Sequence, residues 1–324
     1  MAYGTYNGYL GFSKQSAKGT AITAPAWFAK YGPKDLGANY ETKEQREAGG
    51  GRDVSYRWKS GAGFGGSFGF KARPEAIGRL LHAALGADSI SGTGVPYTHT
   101  ITPADTLPWY TVETGEYYST PLLIERGQDC KVGRLKIDAE AGGVVECVAE
   151  IMGLKSDRIT AAATGITLES DNPFKFYHGT FTLEAGGRTD ITKFGIEIEN
   201  VLRLIQTTEL TGDDLIELDR NINLSLELKM ANANDYNAIY YDTGTAFSED
   251  LFESDLTIDL SFGTGASERE LKLEIPAFHY KVATFPRGAE PEVMLLSADG
   301  SAIKGANPVI TCTVKNDDAA DYDT

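Results

Sequence analysis

Three kinds of residue in this chain could carry chemistry: a glycine run, four histidines and a large excess of carboxylates. Gly61-Ala-Gly63-Phe-Gly65-Gly66 matches G-x-G-x-x-G. That motif cradles a pyrophosphate only when a helix opens directly after it and an acid follows about 20 residues on. Here Ser67-Phe-Gly-Phe70 continues the run as a strand, so the glycines read as a hairpin in which backbones approach closely or bend. His82, His99, His178 and His279 have no second His or Cys at ligand spacing, and each reads as a packed or surface histidine. The chain has no G-x-S-x-G elbow and no P-loop. Two carboxylates can act as an acid/base pair, but most of those here alternate along strands, which is the ordinary pattern of a solvated sheet face. Asn223-Leu-Ser225 fits a glycosylation sequon but falls in the middle of a strand. Cys130, Cys147 and Cys312 are odd in number and lack C-x-x-C spacing, so they read as free thilos of a reducing compartment. No enzyme, metal or cofactor is implied.

The elements that would position these residues are mainly strands. From Asp214 to Lys229 the chain alternates strictly: Glu217, Asp219, Asn221, Asn223, Ser225 and Glu227 against Ile216, Leu218, Arg220, Ile222, Leu224, Leu226 and Leu228. Period-2 alternation of that length predicts a strand with one wet and one buried face, broken on the apolar side by Arg220. The pattern recurs at Asp255–Phe262 and Glu270–Ile275, which flank a Gly263-Thr-Gly265-Ala turn. It recurs again at Arg134–Asp138 and Val144–Ile151 around Gly142-Gly143, and at Val54–Lys59 before the glycine-rich return.

Helices are expected at two places. Pro74 suits a first turn, Ile77, Leu80, Leu81, Ala84 and Leu85 form an apolar stripe, and Gly86 follows the end. A second, shorter helix is expected over 234–241, stopped near Gly244. Each half therefore offers hairpin, helix, hairpin: 52–72, 74–85 and 131–152, then 193–229, 234–241 and 255–282. The repeat is one of pattern, since the residues themselves do not align. Two β domains, 1–160 and 161–324, would meet at the Ala/Thr/Gly-rich stretch 160–172. Two long stretches, 29–51 and 87–108, read as irregular loops, and loops of that length are usually functional.

Composition sets the frame. A chain of 324 residues with 41% apolar and 23% charged residues is ordinary for a globular protein. Its net charge of −16 argues against a grip on phosphate backbones, which needs Lys and Arg. Met1–Leu10 is polar and has neither the charged nor the apolar region of a leader peptide.

Beyond these features the chain resembles the tail tube proteins of phages with long, non-contractile tails. The resemblance rests on the opening Tyr9-Leu-Gly-Phe-Ser-Lys-Gln-Ser-Ala-Lys-Gly-Thr-Ala-Ile-Thr-Ala and the charged loop after it. It continues in the glycine-rich strands that lead into Arg73-Pro74-Glu75-Ala76-Ile77-Gly78-Arg79-Leu80-Leu81-His82-Ala83-Ala84-Leu85-Gly86. Pro96-Tyr97-Thr98-His99-Thr100-Ile101 and Thr106-Leu107-Pro108-Trp109-Tyr110-Thr111-Val112 complete it. What it implies is a mainly β fold: two tail-tube-like sandwich or partial-barrel domains, each with a short flanking helix. It further implies rings stacked around a channel for the genome, and a duplicated chain would build a pseudo-sixfold ring from three copies. Its partners would be further copies of itself, the tape-measure, tail-tip and tail-terminator proteins, and genomic DNA that passes without specific binding. Assembly would take place in the host cytoplasm.

Strand edges that seek partners agree with ring closure. On this reading four long strands per half, eight per chain, give twenty-four from three chains. Glu217, Asp219, Asn223, Glu227, Asp255, Asp259, Glu270 and Glu274 then face the lumen, and the two long loops, with Tyr40, Lys43, Arg46, Tyr97 and His99, reach neighbouring subunits. The alternative is another virion β-protein: a decoration, baseplate or glycan-binding adhesin protein.

Overall fold

The computed structural model describes residues 8–48, 51–116, 123–230, 232–241, 244–284, 294–305 and 308–323. Most of the polar opening, residues 1–7, and Gly49 and Gly50 of the charged stretch lie outside them.

The first half holds β1 (Gly8–Lys14), β2 (Trp27–Phe28), β3 (Lys34–Gln45), β4 (Tyr56–Lys71), α1 (Pro74–Leu85), β5 (Gly86–Ser91), β6 (Tyr97–Pro103), β7 (Tyr110–Glu116), β8 (Leu123–Glu140) and β9 (Glu146–Ile159). The second holds β10 (Gly179–Leu183), β11 (Gly186–Arg188), β12 (Ile191–Ile205), β13 (Asp214–Lys229), α2 (Asn234–Tyr241), β14 (Glu253–Phe262), β15 (Arg269–Thr284), β16 (Leu295–Ala302) and β17 (Thr311–Asn316). The fold is mainly β, and both α-helices span the residues expected from sequence.

One antiparallel sheet, not closed into a barrel, connects the strands. Its main run is β3–β4–β9–β8–β12–β13–β16–β15. Two branches leave it. The first part of β8 pairs with β7, which continues to β1 and β2. The first part of β15 pairs with β14, which continues to β10 and β11, and on its other edge with β17, then β6 and β5. The branches fold back over the main run. Phe12 on β1 lies 5.6 Å, ring to ring, from Phe68 on β4, and Phe181 on β10 lies 5.8 Å from Phe194 on β12. The apolar faces meet in this interior, as in a sandwich, and the polar faces of the two layers look in opposite directions.

The two halves repeat one pairing scheme, β3–β4–β9–β8–β7–β1 against β12–β13–β16–β15–β14–β10. Even the irregularities recur. The shift at Tyr110/Val112 opposite Cys130/Gly127 returns at Ser254/Leu256 opposite Phe278/Ile275. The structural repeat therefore aligns β8–β9 with β15–β16, not with 255–282 as the sequence pattern suggested. Two turns of similar spacing misled that pairing, because hairpin β14–β15 corresponds to β7–β8.

Local sequence explains the elements. In β13, Ile222, Leu224, Leu226 and Leu228 are buried. Ile216 and Leu218, expected on that buried face, are instead 43% and 54% exposed. The register shift between Asn200·Arg220 and Leu202·Glu217 sets two β13 residues against one of β12 and inverts the alternation, so that Leu215 is buried and Ile216 and Leu218 turn to the opposite face.

Strand pairing corrects both expected loops. Residues 34–45 form β3, whose outer half pairs with β4 in a two-stranded ribbon beyond the end of β9. Both faces of that ribbon are wet, so no apolar alternation marked it as a strand. Residues 86–103 form the β5–β6 hairpin. In the glycine run, Gly66 has φ +133°, and a Cβ there would overlap the Asp35 carbonyl oxygen. Gly63 and Gly65 lie so close to β9 that a Cβ on either would stand 2.9 Å from a carbonyl oxygen of Gly153 or Ile151.

Helix α1 buries Ile77, Leu80, Leu81, Ala84 and Leu85 and ends at Gly86 in the left-handed region, φ +108°. Its first amides, Glu75 and Ala76, donate to the Glu169 carboxylate at 2.8 and 3.1 Å, so the stretch between the halves caps the helix.

Candidate functional site

The features that could act on other molecules are strand edges, exposed ribbons and polar sheet faces. At the far end of the main run the outer edge of β3 has no strand partner among the described residues. At the other end, β15 beyond His279 has left β14, and among the described residues its edge opposite β16 also lacks a strand.

The β3–β4 ribbon places Tyr40 opposite Ala62, Lys43 opposite Trp58 and Gln45 opposite Tyr56. Tyr40 and Tyr56 are each 62% exposed, and the rings of Tyr56 and Trp58 stack 5.6 Å apart. Lys59 sits over the Tyr40 ring at 4.5 Å. Arg46 lies at the tip, beside Glu44. The β12–β13 ribbon runs alongside: Ala62 N–H donates to Leu210 O and Gln206 Nε2 to Ser60 O, both at 2.9 Å. It carries the exposed Leu204, Leu210, Ile216 and Leu218. Exposed apolar surface of this kind usually marks a contact with another molecule.

Tyr97 and His99 belong to β6, not to a loop, and His99 is fully buried. Its Nδ1 lies 2.8 Å from Asp88 Oδ2, its Nε2 3.0 Å from the Asp318 carbonyl, and its ring stacks on Tyr322 at 4.1 Å. Burial works against its charge, but Asp88 and the Asp318 carbonyl outweigh it, so the imidazole pKa is raised. His82, also buried, meets Asp323 at 2.9 Å. These histidines fasten the C-terminal segment over α1 and β6 and have no surface to offer a neighbour.

The eight acidic or polar positions of the wet strands do not share one face. Asn223 and Glu227 lie on the polar face of the main run, where Asn223 accepts from Ser301 Oγ at 2.7 Å and Glu227 from Thr192 Oγ1 at 2.8 Å. Around them stand Glu197, Asp299 and Glu146, interleaved with Lys136, Lys193 and Arg134. Asp255, Asp259, Glu270 and Glu274 lie on β14 and the first part of β15, in the layer folded over the run. Lys315 meets Glu270 at 2.6 Å and Lys272 meets Glu274 at 2.7 Å. Burial and the neighbouring Glu270 raise the pKa of Asp259. Asp219 is exposed on the β13 ribbon. Glu217 is tied down by Lys131 Nζ at 2.6 Å and the Leu107 amide at 3.0 Å. Burial resists ionisation of Glu217, but Lys131 and the amide prevail and hold its pKa low.

Among the described residues no group of three or more His, Cys, Asp or Glu is placed to hold a metal ion. A cleft by Lys30, Lys71 and Arg73 includes Cys147, whose thiol pKa is raised by burial.

A two-layer, mainly β chain whose prominent features are open edges and projecting ribbons has the architecture of a structural subunit. A family model described as phage tail tube protein matches residues 5–314, nearly the whole chain. The chain belongs to that family and is thereby a structural component of the virion tail. No curated protein matches it.

Proposed function

We propose that this protein is the repeating subunit of the tail tube: three chains close into a ring of pseudo-sixfold symmetry, and rings stack around the channel through which the genome passes. The observation that carries this reading is the eight-stranded run β3–β4–β9–β8–β12–β13–β16–β15, built of two like halves and open at both ends. Two units, 1–160 and 161–324, joined edge to edge within one chain supply the pattern by which the next chain would continue. Three runs of eight strands give a wall of twenty-four. The polar face of the run, with Asn223 and Glu227, then lines the lumen, while Asp255, Asp259, Glu270 and Glu274 face outward from the overlying layer.

The paired ribbons, with Tyr40, Lys43 and Arg46, project along the stacking direction and contact the next ring. Tape-measure, tail-tip and tail-terminator proteins are the expected partners at the lumen and the two tube ends. DNA slides past without specific binding, since a net acidic wall does not hold phosphates by counterion release. Assembly in the host cytoplasm agrees with three buried free cysteines.

Negative-stain microscopy of concentrated protein tests the reading. Hollow rods are expected, with ring mass three times the 35.0 kDa chain. Discrete particles would favour a decoration, baseplate or adhesin protein, and a ring of six chains would overturn the pseudo-sixfold arrangement.

A further inference from the structure

The joint between the two halves has a counterpart at the ends of the chain. Within the chain, β8 presents residues 134–140 to residues 193–199 of β12, with Leu135 opposite Ile198. The recurring irregularities identify the equivalent positions. The shift at Val132/Arg134 opposite Ile151/Glu150 returns at Tyr280/Val282 opposite Gly300/Asp299, so Ala283 stands where Leu135 does. The pairs Asn200·Arg220 and Leu202·Glu217 return as Tyr40·Ala62 and Thr42·Lys59, so Ala38 stands where Ile198 does. Ala38 lies at one end of the main run and Ala283 at the other.

Neither edge is bare. Glu125 Oε2 accepts the Ala38 N–H at 3.2 Å. Tyr240 of α2 accepts the Ala283 N–H at 3.1 Å and donates its hydroxyl to the Ala283 carbonyl at 2.7 Å. One hydroxyl reaches both groups only because both point to the same edge, as in a residue facing a hydrogen-bonded antiparallel partner. Gly37 makes room for the other cap, because a Cβ there would stand 2.6 Å from Glu125 Oε2. At the internal joint the same two positions are held by a strand. Covering an edge with a side chain is a known guard against premature edge-to-edge growth.

We propose that the β3 edge at Ala38 of one copy pairs antiparallel with the β15 edge at Ala283 of the next, and that Glu125 and Tyr240 cap these edges in the free chain until docking displaces them. The proposal rests on the ring reading above and names its lateral joint.

Three measurements test it. Amide exchange on the wild-type protein compares free chains with assembled tubes. The Ala38 and Ala283 amides are expected to slow by about 100-fold or more, as amides of a strand buried in a sheet do, and unchanged exchange in tubes would overturn the joint. The double variant Asn39→Cys with Val282→Cys places two exposed side chains opposite each other in this register, in a non-hydrogen-bonded pair narrow enough for a disulfide. Oxidised tubes should give a cross-linked ladder that neither single variant gives. Tubes without a ladder would sink the joint and leave the ring reading standing, whereas wild-type protein that forms no tubes would sink both. Tyr240→Phe and Glu125→Ala should each lower the critical concentration for assembly about 2- to 10-fold, the worth of a hydrogen bond or two no longer broken on docking. Should Glu125→Ala not fold, Tyr240→Phe decides, and an unchanged or raised critical concentration refutes the caps.

Discussion

Arg220 grips Asn200 across the β12–β13 ladder, Nε to Oδ1 at 3.1 Å, and together they hold the end of α1. Asn200 Nδ2 donates to the carbonyls of Ala84 and Val132 at 2.9 and 3.0 Å, and Arg220 Nη2 to Ala104 O at 2.6 Å. The one polar break in the apolar side of β13 thus supplies donors to carbonyls around the helix C-terminus, where a cation is favoured. Arg220→Leu would repair the alternation but leave these acceptors without their donor. The expected cost is about 2–4 kcal/mol, read from denaturant midpoints. A variant as stable as wild type would remove this role.

Gly66 and Gly142 both have positive φ, +133° and +83°, but only Gly66 is crowded by backbone. Gly142→Ala should cost about 1 kcal/mol, the ordinary left-handed penalty. Gly66→Ala should cost clearly more, because β3 must move away from β4. Thermal melts of the two variants give the comparison, and equal losses would show that the ladder yields without strain.

The clasp of the C-terminal segment should respond to pH through His99. Its folded pKa lies above the ordinary 6.5, so the stabilisation is fully present below about pH 6.5 and is lost as pH rises through the raised value. The stability gap between wild type and His99→Gln should therefore shrink as pH rises above neutrality. A gap that stays constant from pH 6 to 9 would mean that the imidazole stacks on Tyr322 without carrying charge.

Charge reversal on the two layers should have unlike effects. Lysines at Glu197 and Glu227, on the polar face of the main run, should slow DNA ejection, most at low salt where screening is weakest. Lysines at Asp255 and Glu274, in the overlying layer, should leave ejection unchanged. Ejection kinetics from particles with intact tubes distinguish the two, and an effect of the second pair alone would invert the lumen assignment.

Shortening the β3–β4 ribbon should separate folding from stacking. Lys43 and Trp58 face each other, so residues 44–57 can be replaced by an Asn-Gly turn without breaking register. The expected product keeps the wild-type circular dichroism spectrum but forms no rods. Normal rods would show that ring stacking does not use the ribbon.

Much of this architecture was legible in the chain itself. Alternation gave β13, β14 and β15, and the Pro74 start with the Gly86 stop gave α1, because local propensity and burial agree there. The glycine run, expected as the bend of a hairpin over 52–72, lies instead within one continuous strand, β4, whose partner is β3, while the lack of ligand spacing around the histidines agrees with the packed positions of His82 and His99. Strand β3 and the β5–β6 hairpin were not legible. Their residues carry little apolar alternation, and their pairing is fixed by partners elsewhere in the chain.

By itself, then, the sequence determined which segments are strands or helices wherever one face is dry and the other wet, since a period of two or 3.6 residues is a local property. Only the tertiary structure decided which strands lie side by side, that β8 and β12 weld the halves, and that Ala38 and Ala283 occupy matching open edges. It also divided the carboxylates between two opposed faces, which no alternation could reveal. The physical reason is that a strand's side chains record whether each of its faces is buried, while its edges are backbone, nearly the same for every residue, and their partners are chosen by the whole fold.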